Sequence, residues 1–310
     1  MHVRIRVIMI SFIIVNYNTK SLLKNLLISI NKFFDKEEVI VVDNASSDNS
    51  AEMVSHEFPD VKLIANKKNV GFASANNQAM EIARGDVFVL INSDAELIDD
   101  SLKRAISIIK TNRDYGLIGC KLLNSDKSIQ ISVGRFPGIC YAFLSNTGLG
   151  LLLPSGLKGK MLAGRYLDYN QQLEVDWVMG ACMIVRRDVY VEIGGLNSGY
   201  FMFGEDMEWC YRIKKAGYKI LYTPFSQIMH YFNKSASSNP ERRYYMMYKN
   251  YYSFCNMYLG KTRTTIIRIM NIYGLLLRYV AFKAGLIKTN DPFLSYWFSN
   301  FKQALRSQFL

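Results

Sequence analysis

The sequence predicts an α/β fold, a Rossmann-like and mostly parallel sheet flanked by helices, followed by a helical C-terminal extension. Three observations predict it. Short apolar runs rich in β-branched residues alternate with stretches of helical spacing through the first hundred residues. Polar turn residues follow each of those runs. From Glu241 onward helical patterning dominates.

The elements follow in order. Ile10–Val15 is an apolar run, hence a strand. Thr19–Phe34 places Leu22, Leu23, Leu26, Leu27 and Ile30 at helical spacing. Val39–Val42 is a short strand ending at Asp43, and Ser47–Phe58 can be helical. Val61–Ala65 is a strand, and Ser74–Ala83 a helix closed by Gly85. Asp86–Ile91 is a strand ending in Asn92-Ser93-Asp94, and Asp99–Lys110 a helix. This βα alternation implies a parallel sheet with helices on both faces. Right-handed crossovers then gather the strand C-terminal ends on one edge, where ligands bind in such sheets. Further on, Val175–Arg186 and Lys219–Tyr231 read as strands, with Asp206–Ala216 a helix between them. The composition of Ser235–Pro240 resembles a linker. It divides a domain over 1–240 from an extension over 241–310.

Half of the 310 residues are apolar, enough for a sizeable core. Plentiful aromatics argue against disorder. The five cysteines are scattered with no CxxC pair, which argues against a thiolate zinc site. Residues 241–310 hold 11 Lys and Arg against 2 Asp and Glu, whereas the remainder holds 27 against 24. The net charge of +12 therefore belongs mainly to the tail, and it implies an anionic partner. Met1–Val15 resembles a secretion signal, but Asn16-Tyr17-Asn18 stand where small cleavage-site residues belong, so a buried strand is expected. Phe136–Leu157 is uncharged but broken by Pro137, Gly138, Gly148 and Pro154, so an apolar loop is expected rather than a spanning helix. In Thr264–Phe282, Arg268, Asn271 and Arg278 fall on one broad side, as in a helix lying on a membrane surface or packed on the domain.

Polar residues at the strand ends are the candidates for chemistry. Asp43 can accept from the N–H of a pyrimidine base, and Asn16 or Asn69 can bond ribose or base. Gly71 lets backbone approach a ligand at a helix N-terminus that favours phosphate. Asp94 offers a hard oxygen to a divalent ion. His230, at the end of an apolar strand, is a candidate second ligand, and the donor set would suit Mn²⁺ or Mg²⁺. Glu205, Asp206 and Glu208 open a helix whose far end is basic, an ordinary dipole arrangement. The apolar arm Phe201-Met202-Phe203-Gly204 leading into them could also deliver a carboxylate to a pocket floor as a general base.

The ordered set SFIIVNYN, VVDNASSD, NVGFASANNQAM, LINSDAELI, WVMGACMIVRRDVYVEIGGL and FMFGEDMEWCYRIKKAGYKILY, followed by His230, resembles the family 2 glycosyltransferases. The resemblance covers residues from about 10 to 235 and is greatest to the rhamnosyltransferase-like branch. It implies a GT-A fold and inverting transfer from a nucleotide sugar. It implies Asp206 as catalytic base supported by Glu205, and Asp94 with His230 at a Mn²⁺ or Mg²⁺ site. It implies Asn16, Asn18, Asp43, Asn69, Gly71, Asn76 and Asn92 around the nucleotide, and Trp177, Gly180, Ala181 and Glu208 around sugar and acceptor. Two residues depart from the family's pattern: Asn92 replaces the first acid of its DxD-type motif, and Asn197 stands where many relatives carry Asp. The expected partners are a dTDP- or UDP-sugar, a glycan or lipid-linked acceptor, and an anionic membrane surface on the cytoplasmic side; a homodimer stays open. Tyr244, Tyr245, Tyr248, Tyr251 and Tyr252 interleave with Arg242, Arg243 and Lys249, which a nucleic-acid binder could use for stacking. The same spacing is that of a helix with a packed aromatic face, so nucleic acid is not expected. A catalytically silent sugar-nucleotide binder is the other alternative, invited by Asn92.

Overall fold

The computed structural model describes residues 9–231, 240–286, 301–306 and 308. Residues 1–8 of the expected first segment, 235–239 of the expected linker and much of the distal tail lie outside these. The chain divides into two compact units. The first holds residues 1–133, 169–201 and 205–235; the second holds 134–168, 202–204 and 236–310.

The first unit is built on one sheet. Its strands are β1 (Ile10–Asn16), β2 (Glu38–Asp43), β3 (Lys62–Ala65), β4 (Val87–Ile91), β5 (Ala95–Glu96), β6 (Tyr115–Leu123), β7 (Ile129–Gln130), β9 (Leu173–Val175), β11 (Cys182–Arg186) and β12 (Lys219–His230). Two short strands, β8 (Val133–Gly134) and β10 (Trp177–Val178), lie outside this sheet. The main path runs β3-β2-β1-β4-β11-β6-β12-β5. β3, β2, β1 and β4 are mutually parallel, and β12 runs parallel to β6. β11 is antiparallel to both of its neighbours, β4 and β6. Two reversals restore direction, so β12 ends on the same edge as β1, β2 and β4.

Helices α1 (Lys20–Phe33), α2 (Ser50–Glu57), α3 (Phe72–Ile82), α4 (Leu102–Thr111), α7 (Arg187–Ile193) and α8 (Glu205–Lys215) belong to this unit. Leu23, Leu26, Leu27 and Ile30 of α1 and Ala105, Ile106 and Ile109 of α4 share one core with Phe12, Ile14, Val41 and Val89 of the sheet. Ile13 and Ile40, which point to the other face, are equally inaccessible. Burial on both faces explains the unbroken apolar runs of the strands.

One expectation changes here, and one strand comes to light. Val175–Arg186 is not one strand: the ladder breaks at Asp176 and over Met179–Ala181, whose backbone bonds elsewhere. β6, a central strand, has no clear sequence signal because Gly116 and Gly119 interrupt its apolar run. Those glycines are spatial requirements. A Cβ at Gly119 would lie 2.7 Å from the Cβ of Val178, and one at Gly116 would lie 2.7 Å from Ile213 Cγ2.

The second unit holds α5 (Ile139–Thr147), α6 (Ser155–Leu162), α9 (Pro240–Leu259), α10 (Lys261–Lys283) and α11 (Phe301–Arg306). The expected apolar loop over 136–157 is therefore largely helical. Its breakers punctuate helices: Pro137 and Gly138 precede α5, Gly148 ends it in the left-handed conformation at φ 78°, and Pro154 precedes α6. On α9, Tyr244, Tyr248 and Tyr252 stack at 6.4 and 6.1 Å, and Tyr244 and Tyr252 are buried, so the tyrosines form a packed aromatic face.

α10 is amphipathic with its polar side inward. Asn271 bonds to Asn146 of α5 at 2.8 Å and to the Tyr252 hydroxyl at 3.2 Å. Arg268 lies over the Tyr252 ring, and Arg278 reaches the end of α5. Ile269, Tyr273, Leu276, Leu277 and Val280 are instead exposed. Among the described residues α10 is the one helix long and apolar enough to cross a membrane, with a mean hydropathy of 1.3.

Gly119→Ala tests the close approach in the sheet. Overpacking a methyl against Val178 should cost about 1–3 kcal/mol, read as a lower midpoint in urea at unchanged slope.

Candidate active site

The site is built from the C-terminal ends of β1, β2, β4 and β12. In-register pairing sets Asn16 beside Asp43. Asn16 Nδ2 donates to Asp43 Oδ2 at 2.9 Å and to Ser46 Oγ at 3.1 Å. Its Oδ1 accepts from Thr19 Oγ1 at 2.6 Å, and Thr19 in turn meets Ser93 Oγ at 2.8 Å. Asn16 is thus spent on holding Asp43 and on tying β1 to the end of β4. Ser46 N donates to the other oxygen of Asp43 at 2.9 Å. Asn18 Oδ1 accepts Ser47 N at 2.7 Å, which closes the same loop.

Asn44, directly after Asp43, is the hub of the adjacent loop. Its Nδ2 reaches Asn69 Oδ1 at 2.9 Å and its Oδ1 takes Val70 N at 3.0 Å. Asn69 Oδ1 also accepts Gly71 N at 2.9 Å, so Asn69 has its Nδ2 to offer a ligand. Gly71 has φ +89°, and a Cβ there would stand 2.6 Å from Phe201 O. That carbonyl receives Phe72 N at 2.7 Å and closes the start of α3. Asn76 is buried and bonds to Phe72 O at 2.9 Å, which gives it a role inside α3.

At the end of β4, Asn92, Asp94 and His230 come together. His230 Nε2 lies 3.3 Å from both Asn92 Nδ2 and Asp94 Oδ1, and all three residues are largely shielded from solvent. His230 Nδ1 meets Gln130 Oε1 at 2.7 Å. An amide oxygen only accepts, so Nδ1 donates to it, and Nε2 is the nitrogen turned toward Asp94. A metal-binding imidazole is held by that kind of outer partner. Asn92 Oδ1 is buried without a hydrogen-bond partner. An orphaned oxygen, a carboxylate and an oriented imidazole fit a divalent ion. Among the described residues no group of three His, Cys, Asp or Glu surrounds one point, so Asn92 and ligand oxygens would complete the shell.

The acids at the start of α8 take separate positions. Asp206 Oδ2 accepts Gly180 N at 3.0 Å, and Oδ1 accepts Met207 N at 2.8 Å. A Cβ at Gly180 would stand 3.6 Å from that Oδ2, an ordinary contact. The next residue, Ala181, accepts Asn92 N at 3.0 Å. Two consecutive residues therefore link the proposed base to the Asn92–Asp94–His230 group. Glu205 is buried, and its Oε2 has no hydrogen-bond partner. Burial first, and the charge of Asp206 second, push its pKa well above the ordinary carboxylate range.

Glu208 is buried and its carboxylate takes Arg212 Nε at 2.9 and 3.0 Å. Arg212 in turn holds Ile193 O and Gly195 O, so Glu208 anchors the loop after α7. Asn77 grips the same loop through Leu196 N and O at 2.9 and 2.7 Å. Asn197 closes its turn by accepting Gly199 N at 2.9 Å. Trp177 is half-buried in β10. In the second unit, Asn250 Nδ2 donates to Met202 O and Phe203 O at 2.9 and 2.7 Å. Those carbonyls belong to the arm that runs into Glu205, where Phe203 and Gly204 have φ +70° and +92°. Asn44, Gln130 and Arg212 had no local signal of their roles, although Asn44 directly follows Asp43.

Strand ends that gather a buried carboxylate, a polar metal-type cluster and a helix-borne acid on such a sheet define the GT-A class of glycosyltransferase. The comparisons with known proteins agree. The family model described as Glycosyl transferase family 2 matches residues 11–194. The low-salt glycan biosynthesis hexosyltransferase Agl10 of Haloferax volcanii is 30% identical over 256 residues, covering 81% of this chain and 75% of that protein. The N-acetylglucosaminyl-diphospho-decaprenol L-rhamnosyltransferase of Mycobacterium tuberculosis is 24% identical over 227 residues, covering 70% and 73%. The mannosyltransferase PcManGT of Pyrobaculum calidifontis, solved with GDP-Man and Mn²⁺, shares the fold at TM-score 0.58 and 18% identity, covering 96% of this chain and 83% of that one. The chain belongs to glycosyl transferase family 2.

Glu205→Gln tests the buried acid. Below the unfolded-state pKa of about 4.3, both states hold the proton and the group makes no difference. As pH rises from there toward the raised folded pKa, the unfolded chain ionises more readily, so stability is lost. The variant should be more stable than the parent at neutral pH and equal to it near pH 4, read as Tm against pH.

Proposed function

We propose that this chain is an inverting glycosyltransferase that moves a sugar, L-rhamnose in our reading, from a dTDP-sugar to a lipid-linked glycan for cell-surface polysaccharide synthesis. One observation carries the catalytic part: Gly180 and Ala181 bond to Asp206 and Asn92, which couples the base to the donor end of the site. Similarity to a rhamnosyltransferase whose name specifies a diphospho-decaprenol acceptor supports the sugar and the acceptor class.

Asp206 accepts the proton of an acceptor hydroxyl as its oxygen attacks the anomeric carbon opposite the departing nucleoside diphosphate. In-line displacement inverts the anomeric centre. Burial first, and the charge of Asp206 second, raise the pKa of Glu205, which favours its protonated form beside the base. Asp43 receives the base, and the Gly71 backbone at the start of α3 faces the diphosphate. Asp94, His230 and Asn92 Oδ1 would hold Mn²⁺ or Mg²⁺. When bound, such an ion neutralises charge on the leaving diphosphate. The inward polar side of α10 and its exposed apolar side support placement on the cytoplasmic face of a membrane.

Asp206→Asn should lower turnover about 10²–10⁴-fold while the thermal shift with dTDP-rhamnose persists. Near-parental turnover would remove Asp206 from the role, and donor binding without transfer by the parent would favour a silent binder. His230→Ala should abolish the part of the nucleotide-sugar thermal shift that depends on Mn²⁺, and a shift equal to the parent's would place the metal elsewhere.

A further inference from the structure

The second unit contains a cavity of about 530 Å³ that the transfer chemistry does not use. Leu144, Leu151, Leu162 and Leu277 give it apolar walls, and among the described lining residues Arg165 and Arg278 supply the charge and none is a carboxylate. Arg278 is held in place by bonds to Asn146 Oδ1 at 3.1 Å and Ser145 O at 2.6 Å. Two of its five N–H donors are thereby used, which leaves three. Arg165 lies against the Tyr166 ring at 5.7 Å. Arg165 and Arg278 are both exposed side chains; the neighbouring walls first, and also the charge of Arg165, lower the pKa of Arg278. Two like charges turned to one space repel until an anion lies between them.

The surroundings are not those of a site for a free anion. Leu151 and Leu152 project at 60% and 81% exposure, and Val280 on α10 at 62%. Leaving such side chains in water forfeits their burial, which an alkyl chain lying over them would recover. Two exposed arginines at the mouth of an apolar cavity, with apolar surface beside them, match an amphiphile with an anionic head.

We propose that this cavity binds the phosphate or diphosphate headgroup of a long-chain lipid, with Arg165 and Arg278 on the headgroup and the exposed leucines along the chain. That this lipid carries the acceptor glycan rests on the transferase reading above; the anion site itself does not.

The full-length protein is floated with phosphatidylcholine vesicles doped with a polyprenyl diphosphate, and separately with phosphatidylserine at matched charge. The parent should bind the diphosphate vesicles more tightly than the phosphatidylserine ones. Arg165→Gln and Arg278→Gln should each weaken that binding about tenfold, the loss of a charge-assisted contact. Arg278→Lys should recover part of it, which separates charge from helix packing. Lys160→Gln removes the same charge from the same unit outside the cavity and should change binding less than about twofold. Equal weakening by Lys160→Gln, unchanged binding by the double arginine variant, or no preference of the parent for the diphosphate lipid would overturn the proposal. Competition by inorganic diphosphate at the same concentration as the lipid would overturn its lipid half. No donor is present in this assay, so a failed transfer reaction leaves its result standing.

Discussion

Gly180 N donates to Asp206, and one residue later Ala181 O accepts from Asn92. These two bonds set the spacing between the base and the donor end of the site. They exist because β11 runs antiparallel between β4 and β6. Its entry must therefore lie beside the exit of β4. A parallel strand at that place would have put its entry at the opposite edge. The break in the ladder over Met179–Ala181 is the local consequence, since Gly180 and Ala181 bond to the site and Met179 N to Ser132 O in place of a neighbouring strand.

Much of the polar edge serves to hold itself in place. Asn16, Asn18 and Asn44 place their amides on neighbouring loops, and Glu208 places its carboxylate on Arg212. A buried polar group without a partner costs about 1–3 kcal/mol, so these bonds hold the edge in place at little cost. Buried atoms without a partner also occur elsewhere, Gln308 Nε2 among them, and two lie at this edge. Asn92 Oδ1 and Glu205 Oε2 are buried without partners, and each adjoins a group with a proposed chemical role.

The second unit follows a different solvent logic. Its α10 turns Arg268, Asn271 and Arg278 toward α5 and α9 and leaves apolar residues outside. In water that arrangement forgoes burial of apolar surface. Against a lipid phase the same arrangement is favourable, because polar groups find partners inside and hydrocarbon lies outside.

The sequence by itself determined the alternation of strands and helices through the first hundred residues. It also identified the strand-end polar residues and the family, because period, turn chemistry and ordered motifs are local properties. It placed Asp43, Asp94, Asp206 and His230 as candidates for the same reason. The structure alone decided which polar groups remain for chemistry and which are used in packing. β6 is hidden by glycines that Val178 and Ile213 require, and the 136–157 helices by breakers that lie between them. Gln130 orients His230 from 100 residues away, and Glu208 meets Arg212 only as a buried pair that then holds a loop. Such roles depend on contacts between distant segments, and those exist only once the chain has folded.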